Sequence, residues 1–112
     1  MKNLKQLMFT GTRGYVVDDS SECLVTPDNV ARLRDIPIFF IHGGQNQVYS
    51  PESTMRSYDI LRERFGSSQY ERWVFEGRGH LDCWMGVSCN MDVYPRVEEH
   101  IKKTISRLVD RD

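Results

Sequence analysis

His80 is the residue best placed to do chemistry. It lies in the run Gly77-Arg78-Gly79-His80-Leu81-Asp82-Cys83-Trp84-Met85-Gly86, where glycines let the backbone turn sharply and leave an imidazole uncovered. Histidine's ordinary titration range spans neutral pH, which suits a general base. A glycine turn whose histidine merely hydrogen-bonds has the same pattern, and spacing alone does not separate the two. Cys83 follows His80 at a ligand-like spacing, but the second pair of ligands that tetrahedral zinc requires is missing. As a nucleophile Cys83 has a spacing that rarely aligns a thiol with its own base, so it reads as a small buried hydrophobe. The three cysteines, Cys23, Cys83 and Cys89, are odd in number and form no CxxC pair, which argues against a disulfide framework.

Regular elements must hold these side chains in place. Ile36-Pro37-Ile38-Phe39-Phe40-Ile41 is a β-branched and aromatic run closed by His42, Gly43 and Gly44. Apolar on both faces, it fits a strand of a parallel sheet buried between helix layers. Pro37 belongs at its beginning, since proline cannot donate to a ladder. Ser50 as N-cap, Pro51 at the first helical position, Glu52 complementing the dipole and Gly66 at the end bracket a helix. Met55, Tyr58, Leu61 and Phe65 form its apolar stripe. A second strand covers 70–75, and a last helix runs over about 93–109, capped by Asp92, with Val97, Ile101, Ile105 and Leu108 on one face. Trp73, Trp84 and Tyr94 read as packing residues.

The order strand, helix, strand, helix predicts an α/β fold with a parallel sheet and right-handed crossovers. Reactive groups in such a sheet gather beyond the carboxyl ends of the strands, here in 42–50 and 77–86. Two strands leave edges and apolar faces bare, so residues 35–112 form a marginally stable segment unless more sheet or another chain covers it. Residues 1–34 have no clear period and are crowded by Gly11, Gly14, the run 18–21 and Pro27. They are predicted to be irregular, apart from a short helix through Val30 and Leu33 capped by Thr26.

Composition narrows the partners. Fifteen basic and sixteen acidic residues are interspersed and leave a net charge of −1; with no basic stripe to neutralise phosphates, nucleic acid is not expected. Hydrophobic residues at 39% and charged residues at 28% are ordinary for a globular domain. No apolar run approaches the ~20 residues that span a bilayer. No signal h-region or cleavage site accompanies Lys2 and Lys5, so a cytoplasmic protein is expected. Without a GxGxxG after a strand, no cofactor is expected within these residues.

Taken together, Ile36 through Gly44, then Gly79-His80-Leu81-Asp82-Cys83, then Asp92-Val93-Tyr94-Pro95 resemble the end of an α/β hydrolase. More narrowly, they resemble the hydrolase-like region fused to GMC-type, cholesterol oxidase-like flavin oxidoreductases, whose tails carry a similar GHLDC and DVYP pattern. The resemblance spans residues 24–104. It implies a partial α/β-hydrolase fold made of the C-terminal strands and helices of a parallel sheet. It also implies that His80 corresponds to the family's catalytic histidine, and that 43–48 is where the acid is normally carried. That acid should orient the imidazole and stabilise its charged form. The loop offers Gln45 and Asn46 instead, so Asn46 marks a degenerate acid position. Glu52 and Asp82 are the carboxylates that stand close enough in sequence to substitute. Glu52 is equally explained by the helix dipole, and Asp82 by bracing the turn through backbone N–H groups.

The nucleophile is missing as well. A hydrolase of this fold requires a G-x-S-x-G elbow upstream of acid and histidine. Gly86-Val87-Ser88-Cys89-Asn90 approximates it only superficially, since it follows the histidine with no strand leading into it. Two functions are therefore expected to compete. One is a C-terminal fragment of an ester hydrolase that carries the histidine and is inactive alone. The other is a noncatalytic α/β tail of a flavoprotein, or a pseudoenzyme that only binds. The implied partners are the remainder of such a hydrolase or flavoprotein domain, or a second copy meeting the open sheet edge.

Overall fold

A computed structural model describes Asp18, Ser20 and residues 22–110. The reading of 1–17 as irregular, with turns at Gly11 and Gly14, lies outside the described residues. The chain divides into two units, Met1–Asp35 and Ile36–Asp112. In the first, Asp18 Oδ1 accepts from the amides of Ser20 and Glu22 at 2.8 and 2.9 Å, the local bonding that makes aspartate a turn residue. Helix α1, Pro27–Ala31, is capped by Thr26, whose Oγ1 accepts from Asn29 N at 3.2 Å. Pro27 fills its first position, where no N–H is needed. The helix stops before Leu33, which lies in the turn that follows.

The second unit mixes helix and strand: β1 (Ile38–Gly43), α2 (Glu52–Phe65), β2 (Tyr70–Phe75), α3 (Asp82–Met85) and α4 (Cys89–Val109). The strands form a two-stranded parallel sheet, from Ile38 opposite Tyr70 to Gly43 opposite Phe75. Parallel strands need a long crossover, and α2 supplies it. Strand β1 starts at Ile38 and runs on through His42 and Gly43, later than the sequence suggests. Pro37 stays outside because the ladder begins with Ile38 N donating to Gln69 O at 3.1 Å.

Ser50 opens α2 with its Oγ accepting from Glu52 N at 3.3 Å, and Gly66, at φ 85, closes it in a conformation that L side chains rarely adopt. Thr54, Tyr58, Leu61 and Phe65 turn inward, while Met55 is exposed, contrary to its place in the expected stripe. Thr54 takes the inward place because its hydroxyl bonds to the sheet.

Alternate residues of β1 face opposite ways. Phe40 meets Tyr58 of α2 with ring centroids 6.5 Å apart, and Phe39 stacks on His100 of α4 at 4.8 Å. The sheet therefore lies between these helices. On the α4 side, Phe75, Cys83, Cys89 and Val93 form the buried core, with Ile41 and Val97 packed against it.

Helix α4 corrects the expectation at its N-terminus. It begins at Cys89, and Asp92 lies inside its first turn rather than capping it; the carboxylate is taken by Arg78 instead. Ile101, Ile105 and Leu108 are exposed, and the helix buries Cys89, Val93 and His100. Strands lie about 4.8 Å apart and a helix is roughly 10 Å across. Two strands thus support only a narrow stripe, and the apolar flank projects past them. Among the described residues no helix is long and apolar enough to cross a membrane.

Candidate functional site

The carboxyl ends of β1 and β2 bring the two loops together. Gly44 N donates to Phe75 O, and Gln45 N to Arg78 O, both at 2.8 Å. The approach depends on Gly43, where a Cβ would run into the carbonyl oxygens of Arg78 and Gly79. Asp82 braces the same turn, its Oδ2 accepting from Gly79 N at 2.7 Å. Arg78 reaches across to α4: Nη2 and Nε donate to Asp92 Oδ1 and Oδ2 at 2.6 and 3.2 Å, and Nη1 donates to Val87 O at 2.6 Å. The hydrogen bonds from Arg78 hold the Asp92 carboxyl below the usual aspartate range. The same pairing raises the guanidinium.

His80 is held at the rim of this junction, exposed, with the Tyr49 ring centroid 5.5 Å from its own. Asn46 Nδ2 lies 3.2 Å from His80 Nδ1. The other contacts of Asn46 fix which end of the amide faces the ring. The amides of Val48 and Tyr49 point at Oδ1 from 2.9 and 3.0 Å and require an acceptor. That leaves the NH2 end for the imidazole. An amide NH2 only donates, so His80 Nδ1 accepts, and the neutral ring carries its proton on Nε2. An acid–histidine pair has the opposite order: the carboxylate accepts from Nδ1–H and Nε2 keeps the lone pair.

Of the residues singled out in the sequence, Asn46 and His80 are brought together. The Asp82 carboxylate is engaged by the turn. Glu52 sits exposed at the start of α2, and no hydrogen bond joins it to His80 among the described residues. Cys83 is buried, and burial pushes its thiol up, which disfavours the thiolate. Ser88 stands at φ 63, the one non-glycine residue with positive φ among those described, but α3 rather than a strand leads into it. No group of three His, Cys, Asp or Glu side chains able to hold a metal ion occurs among the described residues. Trp84 and Tyr94, expected to pack, are both half-exposed, although Tyr94 Oη donates to Trp84 O at 2.7 Å. Trp73 is half-exposed and carries the Arg96 guanidinium over its ring at 3.3 Å.

Sequence reasoning missed His42. It is 6% exposed, with Nε2 2.9 Å from Tyr49 O and Nδ1 3.1 Å from Thr54 Oγ1. Arg72 joins the group, its Nε 3.1 Å from Thr54 Oγ1 and its Nη2 2.7 Å from Pro51 O. The signal was present in the strand's alternation, which puts His42 on the Phe40 face beneath α2, where a polar ring must find partners. No family model, no curated protein and no solved structure matches this chain.

Proposed function

We propose that this chain is a noncatalytic α/β module on a hydrolase-like plan, in which His80 binds rather than activates. The observation that carries this reading is the Asn46 amide donating to His80 Nδ1. Replacing the acid of a serine-hydrolase triad by its amide leaves the geometry intact yet lowers turnover about 10⁴-fold, because the ring is held in the wrong tautomer. Asn46 builds that replacement into the chain. The GHLDC and DVYP segments support a relation to the α/β-hydrolase-like tails of GMC-type flavoproteins, and the parallel strand pair is compatible with it.

A partner is part of the proposal. Among the described residues both strands are sheet edges, and Leu81, Trp84, Met85 and Val87 are exposed close in sequence to His80. Open edges and clustered apolar side chains favour coverage by further protein, the remainder of a hydrolase or flavoprotein domain being the chemistry that fits a parallel sheet.

A second reading, the base-bearing segment of an ester hydrolase whose serine lies elsewhere, is favoured by the exposure of His80 at the sheet rim. Hydrolysis of p-nitrophenyl esters separates the two. The noncatalytic reading expects wild-type turnover equal to that of His80→Ala, alone and when the partner domain is supplied; turnover above that control overturns it.

A further inference from the structure

The contacts around His42 form a chain that ends on His80, and each link has a direction. Tyr49 O is a carbonyl and only accepts, so His42 Nε2, 2.9 Å away, carries a proton. In the neutral ring Nδ1 is then a lone pair, and its neighbour at 3.1 Å, Thr54 Oγ1, is the donor. The Thr54 hydroxyl can turn this way because Pro51 O, also 3.1 Å from it, is already served by Arg72 Nη2 at 2.7 Å. Arg72 Nε meanwhile donates to the Thr54 oxygen at 3.1 Å. Beyond Tyr49, its amide donates to Asn46 Oδ1 at 3.0 Å, and Asn46 Nδ2 donates to His80 Nδ1. Donors point one way throughout, from the Arg72 cation through Thr54, His42, Tyr49 and Asn46 to His80.

A polar ring at a buried strand end is costly unless its nitrogens are bonded. His42 satisfies both, and in doing so clamps Tyr49, the residue on which the Asn46 side chain is oriented. The Tyr49 carbonyl and the Tyr49 N–H belong to successive peptide groups, so the coupling to the last link is positional, through the fixed Tyr49 backbone.

We infer that His42 is a positioning residue for His80: it anchors Tyr49, whose amide orients Asn46, whose NH2 in turn sets the His80 ring as an Nε2–H donor. This rests on the binding role proposed above and deepens it, because a ring fixed in this way offers its outer nitrogen as a donor. The group that meets it must bring an acceptor oxygen, not a hydroxyl awaiting deprotonation.

Imidazole ¹⁵N spectra and amide exchange of the whole chain test the inference in wild type, His42→Leu, His42→Gln and Thr54→Val. Wild-type His80 is expected to show a pyrrole-type Nε2 and a pyridine-type Nδ1. In His42→Leu the Tyr49 and Val48 amides exchange about tenfold faster, the equivalent of one hydrogen bond, and a second His80 tautomer appears. His42→Gln, which keeps an N–H donor for Tyr49 O, retains the wild-type pattern. Thr54→Val removes the donor to His42 Nδ1 without changing side-chain size, and speeds the same amides, so the test survives a His42→Leu chain that fails to fold. Protection of the β1–β2 ladder amides reports folding in each case. Unchanged Tyr49 exchange and an unchanged His80 ring in folded His42→Leu or Thr54→Val overturn the inference. Ester turnover above the His80→Ala control overturns the proposed function instead, and leaves the exchange result to stand separately.

Discussion

Asn46 Nδ2 and His80 Nδ1, 3.2 Å apart, set a donor against a lone pair where an acid–histidine pair sets a lone pair against a donor. The backbone amides of Val48 and Tyr49 hold the Asn46 side chain in that orientation. One heavy atom on one side chain thus decides which nitrogen of His80 faces outward with a proton.

Asn46→Asp is expected to reverse this order. Carboxylate oxygens can accept from the Val48 and Tyr49 amides and from His80 Nδ1–H together, so the ring proton moves from Nε2 to Nδ1. The loop keeps its bonds, and stability stays within about 0.5 kcal/mol of the parent. Ring ¹⁵N shifts provide the check, and a neutral ring still protonated on Nε2 with a bare Nδ1 would count against the assignment.

Gly43→Ala should destabilise the second unit by roughly 1–3 kcal/mol, the usual cost of overpacking. Its Cβ meets main-chain oxygens of Arg78 and Gly79, which cannot move aside as a side chain can. Urea unfolding measures the loss, and shifted His80 ring signals should accompany it. A neutral effect would mean that the turn slides freely on β1.

Asp92 gives the protein an acid-sensitive element. A carboxyl held low in the folded state contributes stability that is complete above the ordinary aspartate value of about 3.9, and that is lost as pH falls through the lower folded-state value. Wild type should therefore lose stability below about pH 4 more steeply than Asp92→Asn, which has nothing there to protonate. Glu98, lowered by its hydrogen bond from Lys102, acts in the same sense, but an exposed pair of this kind contributes little. Circular dichroism across the acid range follows both variants.

Ser88→Gly should raise stability by about 1 kcal/mol, because a left-handed backbone disfavours an L side chain by that order and glycine removes the penalty. A melting temperature below that of the parent would show that the Ser88 side chain contributes something its contacts do not reveal.

Thiol labelling should proceed in a fixed order. Cys23 is partly exposed while Cys83 and Cys89 are buried, and burial holds the Cys83 thiol up. Cys23 is expected to react first and the other two only on unfolding. Rapid labelling of Cys83 in the folded chain would reopen its reading as a nucleophile.

Much of the fold was legible because it is written locally. Ser50, Pro51 and Gly66 mark the ends of α2, Thr26 and Pro27 the start of α1, and the glycine turn after Phe75 closes β2. What was not legible depends on contacts distant in sequence. Asp92 has the look of a cap until Arg78 claims it, and Met55 has the look of a core residue until Thr54 is drawn onto His42 and Arg72. The stripe of Ile101, Ile105 and Leu108 reads as apolar, and it stays exposed because two strands are too narrow to cover it. At the site, the meeting of Asn46 and His80 followed from the two strand-end loops. The role of His42 did not, because the strand's alternation places it beneath α2 without showing that Tyr49 and Thr54 are its partners.

The strand pairing has a kinetic side. Every rung of the ladder joins a residue of 38–43 to one of 70–75 across the whole of α2, so none can form early as a hairpin rung does. Loop closure must precede any pairing, which places refolding among slower topologies. During synthesis the sequence Ile38-Phe39-Phe40-Ile41 emerges and waits, unpaired, until Tyr70–Phe75 has left the ribosome, and that interval is when nascent chains of this protein are most exposed to wrong partners.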